Sequence, residues 1–164
     1  MSNNAEAISR IVLIGIGATL TMDVWAWILR RAGVPSLNFA FLGRWIGHLR
    51  EGRFAHANIA KSAPVRGERI LGWSAHYAIG ISFAALLVST FGLEWARTPS
   101  LLPALAIGIV TVVAPLFVLQ PALGAGIASS KTPTPVFNCV KSVVTHIVYG
   151  FGLYIAAVGV ALVM

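Results

Sequence analysis

The chain has 164 residues, 57% of them hydrophobic and 10% charged, with a formal net charge of +7. A soluble domain carries roughly 25% charged residues, so this chain cannot cover itself with a polar surface, and a soluble globular class is excluded. The basic excess follows the loops instead of forming a stripe, so no nucleic-acid partner is expected.

The hydrophobic residues gather into four runs, each near the ~20 residues that cross ~30 Å of hydrocarbon. They predict an all-α integral membrane protein with a single four-helix domain over residues 1–164. The first run, 11–29, follows "MSNNAEAISR", which lacks the basic region of a cleaved leader. Arg30 and Arg31 close the run as a stop-transfer flank would, so helix one is expected to be retained.

Residues 30–69 form the one long connection. Within it Phe41, Leu42, Trp45, Ile46 and Leu49 recur at helical spacing, while Arg44, His48 and Glu51 fall off that stripe. The pattern fits either a short interfacial helix, with Trp and Phe in lipid and Arg among headgroups, or an ordered loop capping the bundle. The second run, 70–93, is bracketed by Trp73 and Trp95 in the manner of an aromatic belt. The third, 101–127, carries Pro115 and Gln120-Pro121, which remove backbone donors and predict a bend. "SSKTPTPVFN" turns the chain into the fourth run, 139–163. The single cysteine, Cys139, excludes an intrachain disulfide and a cysteine-based zinc site.

Charge orients the helices. Of the twelve Lys and Arg, only Arg10 and Arg97 lie away from the first and third connections. The positive-inside rule therefore sets those connections in the cytoplasm, and both termini and the second connection outside. The basic cytoplasmic loop would meet anionic lipid. The two hairpins look like weak copies, each returning through His-x-x-x-Gly: His76 to Gly80 and His146 to Gly150. Such a duplication would make two repeated helical hairpins.

This topology puts Asp23, His76, His146 and Gln120 at a common depth, about 9–11 Å inside the cytoplasmic boundary at 1.5 Å per residue. Gly72, His76, Gly80 and Ala84 form one column on helix two, and Ser142, His146 and Gly150 form another on helix four. Small residues in these columns let a neighbouring helix approach, so both imidazoles should face the bundle. An ionised Asp at that depth costs at least ~2.5–3.5 kcal/mol, so Asp23 is expected to be paired, hydrated or protonated.

Asp23, His76 and His146 could be the first ligands of a divalent transition metal, with Gln120 and Tyr149 supporting them. The same groups could pass protons or a small solute. His76 and His146 alone could ligate a haem axially. His48 and His56, eight apart in the loop, would line an entrance or simply be solvated. All of these residues could equally do no more than hold helices together by hydrogen bonds. No phosphate loop, nucleophile elbow or paired carboxylates are present, so an enzyme is not the expected class.

"GATLTMDVWAWILRRAGVPSLNFAFLGRW", "GWSAHYAIG" and "THIVYGFGLY" together resemble a bacterial inner-membrane family designated domain of unknown function 2938. The resemblance spans nearly the whole length and implies a four-helix protein of the bacterial inner membrane, with no established activity. The functional expectation is an Asp/His layer that binds a metal ion or passes protons or a small solute. The rivals are a bis-histidine haem protein and a structural or assembly subunit. Small-residue faces would also suit a homodimer or a larger membrane complex.

Overall fold

A computed structural model describes residues 3–164. Among them there is no strand, and four helices are long and apolar enough to cross a membrane. Helix α1 spans Asn3–Arg31, beginning earlier than the hydrophobic run because Asn3–Arg10 continues the helix as a polar first section. Helix α2 spans Phe39–Leu49 and is capped by Asn38, whose side chain accepts from the Ala40 N–H. Helix α3 spans Glu68–Phe91 and stops at Gly92, where φ is +84° and a left-handed conformation favours glycine. A short α4, Leu93–Arg97, leads into α5, Leu101–Thr111.

The third apolar stretch then widens into a π-helical turn, Pro115–Leu119, followed by α6, Gln120–Leu123. Pro115 has no N–H to continue the ordinary ladder, and the Gln120 N–H reaches back five residues to the Pro115 carbonyl. The expected bend is thus an enlarged turn within a span that runs Leu101–Leu123. Its last residue is Leu123, four before the sequence suggested, and Gly124 (φ +97°) caps it. The chain passes through Ala128 and Ser129, both at positive φ, and enters α7 at Pro135, which runs to Val163.

Contacts divide the chain into two compact units. One holds the described residues up to Val34 with Tyr77–Thr111 and Thr145–Met164, and the other holds Pro35–His76 with Val112–Val144. In the first, Ile14, Ala18, Leu87, Leu153 and Ala157 form a core of fully buried side chains. Its helices meet through small residues. A methyl group on Gly108 would stand 2.6 Å from the His146 carbonyl and 2.8 Å from Gly150 Cα, and one on Gly152 would stand 3.0 Å from Ala18 Cα. Arg10 is buried and donates to the Ala96 carbonyl at 3.0 Å. Arg10 and Arg97, the two basic residues set apart by the charge pattern, share Glu6 at 2.8–3.0 Å.

The second unit corrects the expected place of Arg44, which is buried within the protein and not left among headgroups. On α2, Leu42, Gly43, Arg44 and His48 are buried in the protein, while Phe41, Trp45 and Ile46 are half-buried and Leu49 is exposed. Two contacts turn the helix this way. Gly43 and Gly72 let α2 and α3 approach until a methyl on Gly43 would collide with the Glu68 carbonyl and one on Gly72 with the Phe39 carbonyl. Arg44 forms a bidentate ion pair with Glu68, both bonds 2.8 Å, and donates to the carbonyls of Ile59, Ala60 and Ser62 at 3.0–3.3 Å. Those bonds repay the desolvation of a guanidinium that would otherwise have stayed among headgroups.

Candidate functional site

The polar residues of the long helices lie among neighbours of several kinds. In the first unit the Tyr77 hydroxyl donates to Asp23 Oδ2 at 2.9 Å, linking α1 and α3. His146 is buried on α7, with Nδ1 lying 3.2 Å from both the Gly108 carbonyl and the Thr111 hydroxyl oxygen of α5. The Thr111 hydroxyl donates to the carbonyls of Ile107 and Gly108 at 2.8 and 2.9 Å. A carbonyl can only accept, and the Thr111 proton is already engaged, so Nδ1 must carry the imidazole hydrogen. His146 is therefore held in the Nδ1–H tautomer, and Nε2 keeps its lone pair.

Tyr149, one turn further along α7, donates to the Gly80 carbonyl at 2.6 Å and meets Phe83 edge-on at 6.2 Å between ring centroids. It serves both as a hydrogen-bond donor and as a packing residue. The small residue at position 80 is explained by α1, since a methyl group there would collide with the Thr19 hydroxyl.

In the second unit His76 stacks on Phe39, with ring centroids 4.1 Å apart and planes at 27°, and Trp73 stands edge-on at 5.9 Å. Its column is as expected at Gly72, Gly80 and Ala84, which are buried, while His76 itself is half-buried. Gln120 is bound at both ends of its amide: Ser129 donates to Oε1 at 2.9 Å, and Nε2 donates to Ser142 Oγ at 3.3 Å. Its role here is to tie the turn before α7 to α6 and to α7 itself. Of the two histidines of the repeated His-x-x-x-Gly motif, His76 stacks on Phe39 and His146 approaches α5 through Nδ1.

Among the described residues no three His, Cys, Asp or Glu side chains gather into a group able to hold a metal ion. For the expected ligands Asp23, His76 and His146, the contacts described are with Tyr77, with Phe39 and Trp73, and with Gly108 and Thr111.

The loop histidines depart furthest from expectation. His48 and His56 are buried and not solvated, with relative exposures of 2% and 8%. His48 Nδ1 lies 2.8 Å from His56 Nε2, and the rings stack at 5.0 Å. The Ala122 carbonyl accepts from the His56 backbone N–H at 2.9 Å and from His56 Nδ1 at 3.3 Å. With Nδ1 of His56 donating, its Nε2 accepts in the neutral ring, so His48 donates from Nδ1. The pair joins α2, the loop and α6 through one continuous line of hydrogen bonds. Nothing in the spacing of eight residues announces this pair, because the chain between them turns back at Gly52 (φ +71°) and is not helical.

Arg44 and Glu68 were likewise outside the predicted site. The off-stripe position of Arg44 on an otherwise apolar helix was the available signal. The Glu68 hydrogen bonds raise the Arg44 guanidinium still further above its usual range, which keeps it charged in place. Tyr77 and Thr111 had no signal beyond their positions next to His76 and four residues before Pro115.

The fold defines a class: an all-helical chain with four helices long and apolar enough to span a membrane, with hydrogen-bonded Asp, His and Gln side chains on those helices. The chain belongs to the family described as Protein of unknown function (DUF2938), whose model matches residues 12–160. No curated protein matches the chain, and no solved structure does.

Proposed function

We propose that this is a multi-pass protein of the bacterial inner membrane that passes protons, alone or with a small solute, through polar groups on its long helices. Large apolar side chains exposed on those helices, including Ile70, Leu102, Val136 and Leu162 at 75–82%, support a lipid setting. The topology proposed is cytoplasmic for residues 30–69 and for the turn before α7, with both termini outside.

One observation carries the functional reading: the anchored tautomer of His146. An imidazole fixed by Nδ1–H donation, with Nε2 left as a lone pair, can accept a proton or ligate a metal. Proton passage is favoured over a metal centre because two further His, Cys, Asp or Glu ligands do not accompany it among the described residues. Asp23, hydrogen-bonded by the Tyr77 hydroxyl, supplies a second group that can exchange a proton.

The first test is the presence of the activity. Vesicles containing the purified chain should dissipate an imposed pH gradient faster than empty vesicles of the same lipid. Rates equal to those of empty vesicles, with the protein inserted and helical, would remove the proposal. Elemental and absorbance spectra of the same material bear on the alternatives. Stoichiometric metal lost on His146→Ala would favour a metal centre, and a Soret band would favour haem.

A second reading, a structural or assembly subunit, draws on the full use of the Gln120 amide and the Tyr149 hydroxyl within the protein. It expects a stoichiometric partner on gentle-detergent purification and no proton flux from the isolated chain.

A further inference from the structure

Between α2 and the start of α3 lies an open groove of about 430 Å³, lined by Gly47, Arg50, Val65, Arg66, Ile70 and Leu71, with Gly67 and Ser74 completing it. Its lining combines two chemistries. Val65, Ile70 and Leu71 offer an apolar wall, and Ile70 is 75% exposed. Arg50 and Arg66 offer two exposed guanidinium groups.

The nearby carboxylates do not neutralise these arginines. Glu68 is held by Arg44 in a bidentate pair, and Glu51 pairs with Arg53 at 3.5 Å. Among the described residues, neither the Arg50 nor the Arg66 side chain makes a hydrogen bond or an ion pair. Of the arginines of the long connection, Arg44 and Arg53 are paired with acids, while these two converge on one groove. The first turn of α3 borders the same groove at Ile70 and Leu71 and adds the positive end of a 24-residue helix.

We propose that this groove binds the headgroup of an anionic phospholipid, the phosphate between Arg50 and Arg66 and the acyl chains along Val65, Ile70 and Leu71. Guanidinium pairs recognise phosphate oxygens by charge-assisted hydrogen bonds, and an apolar wall beside them selects a lipid over a free anion. The occupant is a lipid because the cationic and apolar surfaces are continuous. Free phosphate would use only the first. The proposal rests on the membrane reading above, since only there does the groove meet a headgroup layer.

The test uses the full chain purified in mild detergent and examined by native mass spectrometry with added phosphatidylglycerol or phosphatidylcholine. The wild-type chain should retain phosphatidylglycerol in preference to phosphatidylcholine. Each arginine near the surface contributes on the order of fivefold, so Arg50→Gln with Arg66→Gln should weaken retention about tenfold to thirtyfold. Inorganic phosphate in excess should compete poorly, and full displacement by it would mean an anion site, not a lipid site.

The control is Arg30→Gln with Arg31→Gln, which removes the same charge from the end of α1. Equal loss in both double variants would reduce the effect to general surface charge and overturn the proposal. Both groove arginine side chains are exposed and make no bonds within the protein, so unchanged helicity is expected in the Arg50/Arg66 variant. Extraction of the chain from membranes by alkaline carbonate would instead refute the membrane reading itself. A membrane-embedded chain with no lipid preference would refute only the groove.

Discussion

Replacing Arg44 by alanine should destabilise the protein by about 3–5 kcal/mol, the cost of breaking a largely buried ion pair from one side. The loss has two parts. Glu68, with its side chain 17% exposed, is left as a carboxylate facing the space that held a guanidinium. The carbonyls of Ile59, Ala60 and Ser62 lose the donor they share. Arg44→Lys should recover only a fraction, because an ammonium cannot reproduce the fork that bonds both Glu68 oxygens and reaches the carbonyls as well. Glu68→Gln should cost less than Arg44→Ala, since an amide oxygen still accepts from the guanidinium and the carbonyl bonds survive. Unfolding in mixed detergent micelles, followed by circular dichroism, measures all three. Arg44→Ala as stable as wild type would mean that α2 is not docked as described.

The second large effect is expected at the α2–α3 contact. Gly43→Ala and Gly72→Ala each place a methyl group against a backbone carbonyl of the other helix, at Glu68 and Phe39 respectively. Backbone cannot swing aside as a long side chain can, so each substitution should cost about 1–3 kcal/mol through overpacking. The two positions relieve the same separation of helices once it has been forced open. The double variant should therefore cost less than the sum of the singles. Gly159→Ala is the matched control: a methyl there meets nothing within 4 Å, and the helix-propensity gain should leave stability unchanged or slightly raised. Neutral substitutions at both 43 and 72 would contradict the close approach.

What the sequence made legible was whatever a one-dimensional period records. The four apolar runs are four long helices, and the stripe beginning at Phe41 does mark a helix. The burial of Arg44 on that helix was not legible, because hydropathy ranks Arg44 as a residue for water and cannot know that Glu68 lies across from it. Pro115 announced a disturbance, but whether it would be a kink or a wide turn depended on how Gln120 found the Pro115 carbonyl.

The site was less legible than the fold for the same reason. His146 could be placed on an inward column from its i, i+4 glycine, yet the tautomer is fixed by Thr111 and Gly108, 35 and 38 residues away. The His48–His56 pair depends on a chain reversal and on Ala122, 66 residues beyond His56. No local pattern encodes either. Equal depth along a helix axis, which united Asp23, His76, Gln120 and His146, says nothing of which helix neighbours which. Their observed partners, Tyr77, Phe39, Ser129 and Thr111, come from tertiary packing.

The central claim is that the anchored imidazole of His146 lies on a route for protons. Its most direct test is proton flux per inserted molecule in vesicles, wild type beside His146→Ala and Thr111→Val at matched helicity. Flux should be lost in His146→Ala. It should be reduced in Thr111→Val, where the ring keeps the Gly108 carbonyl but loses the hydroxyl. Wild-type flux retained in folded His146→Ala would contradict the claim and leave this histidine a packing residue of α5 and α7.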